Sequence, residues 1–204
     1  MPNEPKTLLL DLETAPTIGY VWGGRKFDVN VVEYIEEGNI ISFAWKWLGD
    51  KVIQCKSNRL YSRDYRVNNR LTAELHKLYS KADYVIGHNL FAFDDKVANT
   101  DILLNKLPPP PRHRVIDTLK IARQNFRFNS NKLDDLANRL GVGRKLPHTG
   151  FDMWKGCMDN DASSWDLMER YNKHDILLLE GVWNRFEPWH NRPALPRIRN
   201  KETK

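Results

Sequence analysis

The sequence predicts an α/β fold in which helices flank one mixed β-sheet, and three observations lead to it. Short apolar runs with strand character occur at 7–10, 40–48, 84–87 and 115–116. From residue 69 onward such runs alternate with stretches of helical periodicity. The first strands are joined by turn signals, which suit antiparallel pairing, and the later ones are separated by helices, which suit parallel pairing.

The elements follow in order. Thr7 to Leu10 reads as a buried strand running into Asp11-Leu12-Glu13-Thr14. Residues 21–38 hold a Gly23-Gly24 pair among mixed polarity, the pattern of a turn or hairpin. Ile40 to Leu48 is a strand, and Gly49-Asp50 turns it toward a hairpin partner over Lys51 to Lys56. Leu71, Leu75 and Leu78 mark a helix over 69–82, and Tyr84 to Gly87 a short buried strand. A helix over Phe93 to Leu107 stops at the prolines 108–111, which cannot continue it. Val115-Ile116 make a further strand and Thr118 to Asn125 a helix. Asn131 and Asp134 are spaced as a variant capping box opening a helix to Leu140, which Gly141 and Gly143 end. Residues 143–160, rich in Gly, His, Lys and Trp, read as a loop. Ser163 to Phe186 is a long last helix, with Ser163 and Asp166 as its cap pair.

At 204 residues the chain fits one domain, assigned to 1–190, followed by a basic, proline-broken and mobile tail over 191–204. A hydrophobic share of 41% with seven tryptophans supplies a core and excludes global disorder. The net charge of +6 is compatible with a nucleic-acid partner. Cys55 and Cys157 belong to no CxxC pair, which argues against a zinc site or disulfide framework. The start MPNEPKT has no apolar leader, and no stretch approaches the roughly 18 apolar residues of a membrane span, so the expected setting is cytoplasmic.

The chemistry lies in the acids. Asp11 and Glu13, two apart at the end of a strand, share one face, with Leu12 on the other. Two carboxylates this close repel, and a divalent cation resolves the conflict; oxygen donors suit Mg²⁺ or Mn²⁺. In the last helix the apolar stripe Met168, Tyr171, Leu178 or Leu179, Val182 and Phe186 is completed by Asp175, an acid on a buried face that needs a partner. Tyr171 lies one turn before it on the same face. His174 points about 100° away and is expected to be structural or exposed. In Gly87-His88-Asn89-Leu90-Phe91-Ala92-Phe93-Asp94-Asp95 a strand passes through a polar loop into a helix, the usual position for chemistry in α/β folds. Asp95 fits a first-turn acid, and Asp94 is the candidate for the site.

These segments together resemble the DEDD superfamily of 3′–5′ exonucleases, the DnaQ-like group with a ribonuclease-H-like fold. Its DxE motif is Asp11-Leu12-Glu13, its NxxxFD motif runs from Asn89 to Phe93-Asp94, and its YxxxD motif runs from Tyr171 to Asp175. The tyrosine matches the DEDDy branch, and Asp117-Thr118-Leu119 after a short strand is similar as well. The likeness spans residues 7 to about 186, and the stretch from Asp117 to Ala137 looks like small stand-alone phage and bacterial members, not a polymerase proofreading domain. It implies two metal ions, Mg²⁺ or Mn²⁺, and hydrolysis of the terminal phosphodiester to nucleoside monophosphates. By the same likeness Asp11 bridges both ions, Glu13 and Asp175 complete the tighter site, and Asp94 serves the second through water. Tyr171 orients the attacking water with Glu13, while Asn89 and Phe93 support the second motif, with Asn89 near the sugar or end phosphate.

The expected partner is nucleic acid with a free 3′ end and an unpaired terminus, DNA in preference to RNA, acted on by a monomer. Arg144, Lys145 and His148, in the loop before the Asp175 helix, are the substrate-binding candidates beside Asn89 and Phe93. Further basic candidates include Arg59, Arg66, Arg123 and Lys132, with Phe126, Phe128, Phe151 and Trp154 as stacking candidates. The alternatives are an RNA 3′-end trimming exoribonuclease, a nucleic-acid-binding module without catalysis, and a proofreading subunit that works with a replication or repair partner.

Overall fold

A computed structural model describes residues 5–23 and 30–191. Among the described residues the strands are β1 (Thr7–Thr14), β2 (Ile18–Val21), β3 (Val31–Glu36), β4 (Ile40–Trp47), β5 (Gln54–Ser57), β6 (Tyr84–Gly87) and β7 (Arg114–Asp117). The helices are α1 (Asn69–Tyr79), α2 (Asp94–Leu104), α3 (Thr118–Asn125), α4 (Leu133–Arg139), α5 (Phe151–Met158) and α6 (Ala162–His190). Five strands form one sheet in the order β5-β4-β1-β6-β7. The pairs β4/β5 and β1/β4 are antiparallel, whereas β1/β6 and β6/β7 are parallel. This is the mixed sheet expected, with β1 at the seam between its two halves.

Alternation along β1 divides the core. Leu8, Leu10 and Leu12 point into a cluster with Leu71, Leu75 and Ile102 of α1 and α2. Leu9 points the other way, into a cluster with Ile176, Leu179, Val182 and Phe186 of α6. A central strand buried on both faces reads as an unbroken apolar run, which is why TLLL stood out. The α6-facing side carries, after Leu9, the next two odd positions: Asp11 and Glu13.

β2 and β3 form a separate two-stranded hairpin, as residues 21–38 implied, and positions 24–29 of its connection fall outside the described residues. So does the tail from residue 192. Three expectations need correction. The stretch 143–160 is not all loop: Gly150, at φ +67°, breaks the chain and opens α5. No capping box opens α4; Lys132 is its N-cap and contributes no side-chain bond, while Ser130 Oγ donates to Asp135 at 2.6 Å and accepts from the Lys132 amide. At the start of α6 the cap is Asp161, which accepts from the Ser164 amide at 2.7 Å and stands before the expected cap Ser163.

α6 is seated closely on the segment that follows α4. A Cβ placed on Gly181 would stand 2.2 Å from Val142 Cγ1. Val142 leads directly into the loop bearing Arg144 and Lys145, so this seat sets where that loop lies against α6. Replacing glycine in an unobstructed helix by leucine would stabilise it by somewhat under about 1 kcal/mol. Here Gly181→Leu is expected to lower the unfolding free energy by about 1–3 kcal/mol in urea titrations, because overpacking dominates. A gain in stability would show that Val142 does not rest on this face.

Candidate active site

The site forms where the end of β1 meets the middle of α6. Antiparallel register sets Asp11 opposite Ala44 and Glu13 opposite Ser42. The small side chains of β4 leave room for α6 to lie over both acids. From α6 comes Asp175, 1% exposed, on the apolar stripe that had marked it. Carboxylate oxygens of Asp11, Glu13 and Asp175 lie within 4.8 Å of one another. Asp94 stands at the start of α2, buried, and its Oδ1 accepts from the Leu12 amide at 3.2 Å. It borders the trio and lies outside this grouping.

Burial and mutual repulsion set the electrostatics. Asp11 is pushed well above the usual carboxylate range by burial, then by Asp175, Glu13 and Asp94. Glu13 rises to about 7 through burial and Asp175, against the pull of Lys145 and of Trp154, whose indole Nε1 donates to Glu13 Oε2 at 3.1 Å. Asp94 also rises to about 7, mainly through burial. Asp175 is raised by burial and held down by Lys145. Asp175 Oδ1 is buried and has no hydrogen-bond partner among the described residues. An oxygen-only donor set with an orphaned carboxylate oxygen fits a hard divalent cation.

Lys145 is the cation the structure places there. Its Nζ donates to Asp175 Oδ2 at 2.5 Å and to the Tyr171 hydroxyl at 2.8 Å. Burial alone would favour the neutral amine; attraction to Asp175, with hydrogen bonds to Asp175 and Tyr171, outweighs it and keeps the ammonium charged. Tyr171 is raised to about 12 by burial and Asp175, so it stays a phenol. The rings of His148, Tyr171 and Trp154 pack edge to face, with centroids 5.0–6.2 Å apart.

The second motif is shaped from β7. Asp117 caps α3 and also receives the amides of Asn89 (3.0 Å) and Phe91 (3.2 Å), holding Asn89 at φ +66°. His88 lies between Thr118 Oγ1 and the Asn131 carbonyl, 2.9 Å from each. A cleft of about 580 Å³ opens beside Asp11, lined by His88, Asn89, Arg123, Lys132 and Lys145 among others. Phe93 is exposed at the start of α2.

Of the substrate-binding candidates, Asn89 and Lys145 thus meet at this cleft, and His148 packs on Tyr171. Arg144 is instead turned to Asp134 at 3.2 Å on the surface. Arg59 is held by Asp166 and Glu169, and Arg66 by Asp64 and Glu36. Phe126, partly buried, stacks on Phe186 and packs against the core. His174 hydrogen-bonds the Arg144 carbonyl at 2.7 Å, the structural role expected of it. Three contributions went unread in the sequence: the ion pair of Lys145 with Asp175, the indole of Trp154 on Glu13, and the amide of Asn172 on Asp11. The second had a signal, a helical run Phe151 to Met158 with Met153, Trp154 and Cys157 on one side.

Comparison with sequence families matches RNase_H_2, described as RNase_H superfamily, to residues 34–186. That span takes in Asp94, Tyr171 and Asp175 and begins after Asp11 and Glu13. Comparison with curated proteins gives no match. Among solved structures, the family B DNA polymerase from the hyperthermophilic archaeon Pyrobaculum calidifontis is similar over 92% of this chain, with a TM-score of 0.66 and 17% identity. This chain spans 25% of that polymerase chain, and at such identity the likeness concerns the fold. No helix among the described residues is long and apolar enough to cross a membrane.

The clustered acids carry a stability cost with a definite sign. Between about pH 4.5 and 7 the folded protein keeps a proton on Glu13 that the unfolded chain has released, so stability falls as pH rises through that window. In EDTA at pH 8, Glu13→Gln should therefore be more stable than wild type, by on the order of 1–3 kcal/mol, with the gap closing near pH 4.5. Thermal denaturation at both pH values measures this. Equal stability at pH 8 would mean the acids are not in conflict.

Proposed function

The chain belongs to the RNase_H superfamily, and on that premise we propose that it is a metal-dependent 3′–5′ exonuclease. Its substrate is an unpaired 3′ terminus, DNA in preference to RNA, shortened one nucleoside monophosphate at a time by the domain formed from residues 1–190. The observation that carries this reading is the meeting of Asp11, Glu13 and Asp175 oxygens within 4.8 Å beside a cleft lined by Arg123 and Lys132.

In this reading Asp11, Glu13 and Asp175 hold a divalent ion, and Asp94 serves a second. Bound Mg²⁺ or Mn²⁺ supplies Lewis-acid activation of water and charge stabilisation at the phosphodiester. The chain's own groups do the rest. Tyr171, un-ionised at neutral pH, accepts from Lys145 Nζ, so its own proton is free to hold the attacking water. A divalent ion held by Asp175 would compete with the Lys145 ammonium for that carboxylate, and Lys145 would then be available to phosphate oxygens in the adjoining cleft. Arg123 and Lys132 neutralise the preceding phosphates, and Asn89, fixed by Asp117, faces the terminal nucleotide. Burial of Tyr171 and the rings of His148 and Trp154 limit the water that reaches the bond.

A 5′-labelled oligonucleotide with Mn²⁺ should give a descending ladder, none with EDTA, and none when the 3′ end is blocked. Cutting of a closed circle would contradict the exonuclease reading. DNA and RNA strands run in parallel decide the substrate. Asp11→Ala, Glu13→Ala, Asp94→Ala and Asp175→Ala should each lower turnover by at least about 10³-fold. Tyr171→Phe, which keeps the ring, should lower it by roughly 10- to 10³-fold with metal binding intact. Unchanged turnover in Tyr171→Phe would remove its hydroxyl from the reaction.

A further inference from the structure

We infer that Asn172 is a positioning residue, whose side-chain amide fixes the Asp11 carboxylate in the orientation that receives a divalent cation. This rests on the metal-site reading above. Asn172 is fully buried on α6, between Tyr171 and Asp175 in sequence. Its Nδ2 donates to Asp11 Oδ2 at 2.6 Å and to the Asp11 backbone carbonyl at 3.2 Å. Its Oδ1 accepts from Ser42 Oγ of β4 at 2.9 Å, and Ser42 is fully buried too. The Cys55 thiol of β5 lies 3.5 Å from Ser42 Oγ and 3.9 Å from Asn172 Oδ1.

These partners allow one orientation of the amide. On one side stand a hydroxyl and a thiol, both able to donate; burial pushes the Cys55 thiol up to about 11, so it keeps its hydrogen. On the other stand a backbone carbonyl and a carboxylate, both acceptors. Turning the amide over would set its oxygen against Asp11 Oδ2 at 2.6 Å and against the Asp11 carbonyl, and would take from Ser42 its amide acceptor. The relay therefore runs one way, from Ser42 to Asn172 to Asp11. Its last donor favours the ionised carboxylate, the form a cation needs, in a place where burial and three neighbouring acids oppose ionisation. Two bonds to one residue also lock the Asp11 side chain to its own backbone. Hydrogen bonds of this kind orient metal ligands, and losing one costs about 10- to 100-fold in metal affinity.

The test is a Mn²⁺ titration followed by the electron paramagnetic resonance of free Mn²⁺, with urea unfolding as a check on folding. Asn172→Leu, close in shape, should weaken Mn²⁺ binding about 10- to 100-fold. Ser42→Ala, which keeps the amide but frees it to turn, should weaken it by less. The double variant should match Asn172→Leu alone, because Ser42 acts only through the amide. If Asn172→Leu does not fold, Ser42→Ala still decides the matter. Wild-type affinity in whichever of the two folds overturns the inference, and multiplying effects in the double variant overturn the relay. Failure of wild type itself to bind Mn²⁺, with Asp11→Asn as control, removes the metal-site reading and this inference together; wild-type binding that survives in the variants removes the inference alone.

Discussion

Asp11, Glu13 and Asp175 are pressed together at the edge of a cleft, Asp175 buried and the other two partly so, and the surrounding structure is arranged around that repulsion. Burying one unpaired carboxylate costs several kcal/mol in folded proteins, and a group of them costs more. The chain offsets this locally: Lys145 on Asp175, the Trp154 indole on Glu13, the Asn172 amide on Asp11, and the Leu12 amide on neighbouring Asp94. The offset is partial, since the acids stay raised in pKa and Asp175 Oδ1 keeps no partner among the described residues. An oxygen-only cluster whose repulsion is only partly offset could hold a divalent cation.

Topology delivers these groups to one point. β1 lies between an antiparallel neighbour, β4, and a parallel one, β6. Its carboxyl end therefore opens beside the carboxyl end of β6, where Asn89 and the start of α2 follow. Open α/β sheets place their clefts at such strand ends. α6 crosses the same end with Tyr171, Asn172 and Asp175 all buried on its inner side. The Gly181–Val142 seat fixes the loop that carries Lys145 to the site. Fold and chemistry thus meet through β1 and α6.

Much of this was legible in the residues. Period-two alternation placed Asp11 and Glu13 on a common face, and the helical stripe exposed Asp175 as an acid among apolar neighbours. Asn172 sat in the same stripe, four residues after Met168 and four before Ile176, all three buried. A buried polar residue at that spacing was a signal, eclipsed by the stronger one of Asp175. Lys145 was placed among substrate contacts from its position in a basic loop. Sequence spacing cannot show that 30 residues of chain return it to Asp175, because the ion pair depends on how α4 and α5 pack against α6. The helix over Phe151 to Met158 was hidden by Gly150 and by the short reach of its apolar side. The cap of α6 moved to Asp161 because any of several closely spaced polar residues can cap, and only backbone geometry decides between them.

If the three acids form a divalent-metal site, Lys145 stands where the ion belongs and must give way to it. Anomalous diffraction from crystals grown with and without Mn²⁺ tests this most directly. The expected result is an anomalous peak among the oxygens of Asp11, Glu13 and Asp175, with Lys145 Nζ withdrawn from Asp175 in the loaded crystal. A Lys145–Asp175 contact that persists at saturating Mn²⁺, with no peak among the three carboxylates, would contradict it.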